Sequence, residues 1–124
     1  MGDTGAKKRI LVVDGDETQL SSVMADLKGD YDVTTVTSGM SAVDSLSQVP
    51  DLVLLDGFET YDKIRTIDTM RNVPVIFLTT ANSPDAVKKA LASGAADYVT
   101  KPYATENFMN RVKNAIEMYE SKRR

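Results

Sequence analysis

The chain has 124 residues, 42% hydrophobic and 27% charged, which fits one globular domain around one core. Its net charge of -3 gives no bulk electrostatic case for binding nucleic acid or an anionic membrane. The absence of cysteine and histidine excludes disulfides, thiol catalysis, thiolate and imidazole metal ligands, an imidazole base and a phosphohistidine.

No apolar run approaches the roughly 18 residues of a membrane span. Residues 1–8 lack an apolar signal core and read as a flexible tail. Ala6 stands where a myristoylation signal needs Ser or Thr. A cytoplasmic protein is expected, with residues 9–120 as its domain and 121–124 as a charged end.

Short apolar runs alternate with segments of helical period, which predicts βα units and a parallel sheet. The first strand is Arg9 to Val13. Leu20, Val23, Met24 and Leu27 then fall at i, i+3, i+4 and i+7, one buried stripe of a first helix that Gly29-Asp30 stops. Asp32 to Val36 is a second strand, rich in Thr and so placed nearer an edge. A weaker second helix starts at Ser38 and carries Ala42, Val43 and Leu46. Leu52 to Leu55 is a continuous apolar run, the pattern of a strand covered on both faces. A third helix is expected from about Phe58 to Met70.

Pro74 opens a fourth strand, Val75 to Leu78. Ser83-Pro84-Asp85 is a helix start: Ser as N-cap, Pro in the first turn, an acid at the positive end of the dipole. Gly94 ends that fourth helix. Tyr98 to Thr100 is the fifth strand. A last helix begins near Thr105 and buries Phe108, Met109, Val112, Ile116 and Tyr119, with Glu120 to Arg124 as a charged, fraying end. No repeat or second domain is visible.

Four strand ends carry the chemistry. The first strand ends in Asp14, the third in Asp56, the fourth in Thr79-Thr80 and the fifth in Lys101-Pro102. In a parallel α/β sheet the carboxyl ends of the strands share one edge, and ligands bind there. Two carboxylates, hydroxyls and a lysine at one edge can hold a divalent cation and a phosphoryl group. Each residue also has a plainer reading. Asp14 and Asp16 could cap a helix. Asp56-Gly57 could be a turn. Thr79 and Thr80 could be ordinary β-formers, and Lys101 a surface lysine. Only the coincidence of all four ends favours a site, and Asp14 and Asp56 on opposite edges would refute it.

In order and spacing these landmarks resemble the receiver domain of two-component response regulators. They are Ile-Leu-Val-Val-Asp14, Pro50-Asp-Leu-Val-Leu-Leu-Asp56, Gly57-Phe-Glu, Pro74-Val-Ile-Phe-Leu-Thr79, Ser93-Gly-Ala-Ala-Asp-Tyr98 and Thr100-Lys101-Pro102-Tyr103. The resemblance covers nearly the whole chain, with no effector domain attached. It implies a flavodoxin-like, doubly wound five-stranded parallel sheet of order 2-1-3-4-5 flanked by five helices. It implies an Asp phosphorylated by a histidine kinase or phosphotransfer protein with Mg²⁺. By position, Asp56 would be the phosphoacceptor and Asp14, Asp16 and Asp56 the metal ligands. Thr79 and Thr80 would be switch hydroxyls, Lys101 the phosphate-binding lysine, Tyr98 the rotating aromatic and Pro102 a cis-proline. A downstream protein would bind the face of the fourth helix, fifth strand and last helix, where Tyr98 and Tyr103 suggest exposed aromatics.

The chain departs from that pattern twice. The family usually has a second acid directly after the first, a direct Mg²⁺ ligand; here Gly15 stands there and Asp16 comes one residue later. The family also places roughly seven residues between phosphoacceptor and Gly-Phe-Glu, whereas here Gly57 follows Asp56 at once. Weak Mg²⁺ binding and impaired phosphorylation are therefore expected. Two alternatives stay open. One is a pseudo-receiver that binds partners without phosphate. The other is a haloacid dehalogenase-like phosphohydrolase, because Asp14-Gly-Asp16-Glu-Thr18 resembles that family's nucleophile loop, with Asp14 as nucleophile and Asp16 as acid/base.

Overall fold

In the computed structural model the described residues are 7–37 and 49–122. The expected second helix, with Ala42, Val43 and Leu46, lies outside them, as does most of the N-terminal tail. The strands are β1 (Arg9–Val13), β2 (Asp32–Val36), β3 (Leu52–Leu55), β4 (Val75–Thr79) and β5 (Asp97–Thr100). They pair in parallel as one sheet of order β2-β1-β3-β4-β5. The helices among the described residues are α1 (Glu17–Leu27), α2 (Phe58–Arg65), α3 (Pro84–Ala92) and α4 (Thr105–Lys122), with a 3₁₀ turn at Asp68–Met70.

The central strands β1, β3 and β4 are apolar apart from Arg9 at the start of β1 and Thr79 at the end of β4, because both sheet faces are covered. Alternate residues point to opposite sides. Ile10, Val12, Leu52, Leu54, Ile76, Leu78 and Val99 meet α1 and α4 through Leu20, Val23, Leu27, Phe108, Val112 and Ile116. Leu11, Val13, Val53, Leu55, Val75, Phe77 and Tyr98 meet α2 and α3 through Tyr61, Ile64 and Ala90. The Thr-rich β2 is indeed an edge strand, with Asp32 and Thr34 exposed.

Two expectations are corrected. Met24 is 36% exposed rather than part of the buried stripe, because α1 is held by Leu20, Val23 and Leu27 alone. The helix expected over 58–70 breaks after Arg65. Ile67 is extended, and the Arg65 guanidinium donates to the carbonyls of Met70, Arg71 and Val73, tying the turn that follows. The last helix, α4, runs to Lys122.

Candidate functional site

Asp14 directly follows β1 and Asp56 directly follows β3, and these strands are neighbours in register. Their backbones are tied in place: the Asp14 N–H donates to Val36 and the Asp56 N–H to Val13. Thr79 closes β4, and Lys101 follows β5 with its N–H bonded to the Thr79 carbonyl. The four strand ends thus share the carboxyl edge of the sheet. The Lys101-Pro102 peptide is cis.

The Lys101 ammonium sits between the acids, 2.8 Å from Asp14 Oδ2 and 3.5 Å from Asp56 Oδ2. The side chains of Lys101 and Asp14 are only 10% and 12% exposed, whereas Asp56 is 33% exposed. Of the two strand-end carboxylates, Asp56 is therefore the one more open to a ligand. It directly follows the buried apolar strand β3.

Asp16 does different work. It is the N-cap of α1, and its Oδ1 accepts from the Thr18 and Gln19 N–H groups. Its Oδ2 accepts from the Gln19 side chain at 3.4 Å, and its own N–H donates to Asp14 Oδ1 at 2.9 Å. The capping reading of Asp16 is the one this geometry favours.

Mg²⁺ requires near-octahedral oxygen ligands and keeps several waters. Against that need, Asp14 has one oxygen on an amide and the other on Lys101, and both oxygens of Asp16 are engaged. No group of three acidic side chains able to hold a metal ion occurs among the described residues. The donor set does not fit a tightly held Mg²⁺. Gly15 itself has room for a side chain. It is outside the left-handed region, and a Cβ there would meet nothing closer than the Thr37 carbonyl oxygen at 4.0 Å.

Thr79 and Tyr98 converge on one residue that the sequence did not single out. The Ala81 N–H donates to Thr79 Oγ1 at 3.2 Å, and the Tyr98 hydroxyl donates to the Ala81 carbonyl at 2.7 Å. The segment between β4 and α3 is thereby held from both sides. Both bonds are made by side chains to the backbone of Ala81, which no sequence signal marks. The Tyr98 ring is buried and stacks on Phe77 at 5.8 Å. Burial raises its pKa, and the negative charge of Asp56 adds to the rise.

Thr80 is exposed and, with Lys101, lines a groove of about 520 Å³ that runs to Tyr103 and Asp26 of α1. The aromatic argument for an interaction face fails. Tyr98 lies on the α2/α3 side of the sheet, while Tyr103 lies on the α1/α4 side, packs on Phe108 and donates to Asp26 at 2.7 Å. Both hydroxyls are held, and the two rings do not share a surface.

Residues 10–113 match the family model described as "Response regulator receiver domain". The DNA-binding response regulator MtrA of Mycolicibacterium smegmatis is 32% identical over 92% of this chain and 53% of its own length. A probable cyclic di-GMP phosphodiesterase of Vibrio cholerae is 32% identical over 91% of this chain and 27% of its own. The chain therefore spans about half, or less, of such relatives. Among solved structures, the BeF3-activated DrrB receiver domain has a TM-score of 0.79 at 31% identity, covering 90% of this chain and 98% of that one. The receiver domain of the sensor histidine kinase PA1611 from Pseudomonas aeruginosa is described with magnesium coordinated in its active-site cleft. It has a TM-score of 0.77 at 30% identity, covering 90% of this chain and 99% of that one.

Proposed function

Because the chain belongs to the response regulator receiver domain family, we propose that it is a signalling switch that takes a phosphoryl group on Asp56. One observation carries this reading: Asp56 is the more open of the two strand-end carboxylates, with the Lys101 ammonium 3.5 Å away. An Asp56 oxygen would attack phosphorus, and the bond to the leaving group would break with its electron pair going to that group. The donor is a phosphohistidine of a kinase or phosphotransfer protein, or a small acyl phosphate. Lys101 would meet the developing oxyanion, and Thr79 ends β4, the strand between those that carry Asp56 and Lys101. The chemistry is limited to the chain's own phosphorylation and dephosphorylation.

The output is a shift of the segment at Ala81. If Thr79 turns toward the phosphoryl oxygens, the Ala81 N–H loses its acceptor, and the Tyr98 bond to the same residue is strained or released. A downstream protein would read the face of α3, β5 and α4. Leu91 and Met118, 48% and 60% exposed, supply apolar surface on its two helices, whereas Tyr98 is buried and Tyr103 partly buried. No helix among the described residues is long and apolar enough to cross a membrane.

Phosphorylation is expected to be slow, because the donor set suits Mg²⁺ poorly and Asp14 adds negative charge where the phosphate must approach. The engagement of Asp16 as a helix cap also favours a second reading, a pseudo-receiver that binds partners without phosphate. The phosphohydrolase reading loses its support for the same reason: its acid/base would be that capping carboxylate.

Intact-mass measurement after incubation with acetyl phosphate, with and without Mg²⁺, tests the proposal. Slow addition of one phosphoryl group, abolished in Asp56→Asn, is the expected result. No addition at any Mg²⁺ concentration would leave the pseudo-receiver.

A further inference from the structure

Lys101 has three N–H donors. One goes to Asp14 and a second to the Gln19 side-chain carbonyl in the first turn of α1, while Asp56 Oδ2 lies 3.5 Å from the ammonium as an ion pair. Gln19 in turn donates its side-chain N–H to Asp16 Oδ2, and the Asp16 N–H donates to Asp14 Oδ1. Asp14 Oδ2 then accepts from Lys101. Four residues close a hydrogen-bonded ring, and Gln19 is its one neutral side chain.

We propose that Gln19 is a positioning residue that fixes the Lys101 ammonium in the pocket, so that its remaining donor faces Asp56. The need follows from the donor set. With Asp16 capping α1, the fixed cation between the carboxylates is an ammonium on a long, flexible stem. Asp14 alone fixes one N–H of that ammonium and leaves it free to rotate. Gln19 supplies a second fixed acceptor, carried on a helix whose start is capped by Asp16 and whose body is packed through Leu20 and Val23. A neutral acceptor suits the place. It orients the ammonium and leaves its positive charge available to a phosphoryl oxygen, which another carboxylate would offset. The role in phosphoryl transfer rests on Asp56 being the phosphoacceptor; the pinning of Lys101 does not.

The test is the hydrogen exchange of the Lys101 ammonium, followed by ¹⁵N NMR without any phosphodonor, in the wild type, Gln19→Leu and Gln19→Glu. Leu keeps the helix and similar bulk but removes the acceptor, whereas Glu keeps an acceptor. A hydrogen bond to a charged group is strong enough to predict about tenfold faster exchange in Gln19→Leu. Gln19→Glu should stay close to the wild type. Unchanged exchange in a folded Gln19→Leu would overturn the assignment. So would equal acceleration in both variants, which would trace the effect to the helix rather than to the acceptor. Acetyl phosphate labelling of the same proteins keeps the two claims apart. If none is labelled, wild type included, the reading of Asp56 fails, while the exchange rates still decide the role of Gln19.

Discussion

The loops after β1 and β3 each place an aspartate at the same sheet edge, yet they are built in opposite ways. The first is held by polar contacts: Asp14, Asp16, Gln19 and Lys101 engage one another's oxygens and N–H groups. The second is two residues long and is held by aromatic packing. Gly57 is at φ 106°, and the next residue, Phe58, meets Phe77 at 4.9 Å and lies under the Lys89 ammonium. The contrast separates two uses of one residue type. An acid whose oxygens are engaged by amides builds structure. An acid delivered by a short, apolar-anchored loop stays free for chemistry.

The largest effect should come from the aromatic side. Phe77 is fully buried and touches Phe58, Tyr61 and Tyr98. Phe77→Ala should cost about 3–5 kcal/mol in urea unfolding. A loss under about 1 kcal/mol would mean that packing does not hold the second loop.

Gly57→Ala tests the turn itself. A Cβ at Gly57 meets nothing within 4 Å, so only backbone conformation opposes it. Alanine in the positive-φ, extended backbone of Gly57, a region that favours glycine, should cost about 1–3 kcal/mol. No change would show that the loop can adopt another path.

Asp16→Ala probes the polar side and should cost about 1 kcal/mol through loss of the α1 cap. Thermal unfolding would detect it, and a stability gain would mean that repulsion among the acids outweighs capping.

An effect of similar size concerns Tyr103. Tyr103→Phe should cost about 1 kcal/mol at neutral pH, because it removes the bond to Asp26. Burial, then the hydrogen bond and charge of Asp26, raise the Tyr103 pKa above 10.0. The protonated form is the one stabilised in the fold, so this contribution is complete below pH 10 and fades as pH climbs further. The stability gap between wild type and Tyr103→Phe should therefore narrow above about pH 10. A gap that widened would reverse the sign of this account.

The five strands and the shared edge were legible in the sequence, because apolar runs ending in Asp14, Asp56, Thr79 and Lys101 leave little freedom in a parallel sheet; the sheet order followed only from the resemblance to receiver domains. The double role of Asp14-Gly15-Asp16 was not. Whether Asp16 turns to a metal or back to its own helix is set by side-chain torsions and by Gln19, and one spacing permits both. The early end of α2 was hidden as well, since it depends on Arg65 reaching carbonyls five to eight residues ahead. Tyr98 and Tyr103 lie five positions apart, but a strand end and a cis-proline turn intervene, and periodicity cannot place them on a common face.

The central claim is that the polar ring around Lys101 leaves this receiver without the acid that would hold Mg²⁺ directly. Calorimetric Mg²⁺ titration of the wild type and Gly15→Asp tests it most directly. The account predicts weak binding in the wild type. Gly15→Asp should bind about tenfold or more tightly, since it adds a carboxylate where the backbone and the space allow one. Tight binding in the wild type, unimproved by Gly15→Asp, would show that Asp16 leaves its helix for the metal and would contradict the account.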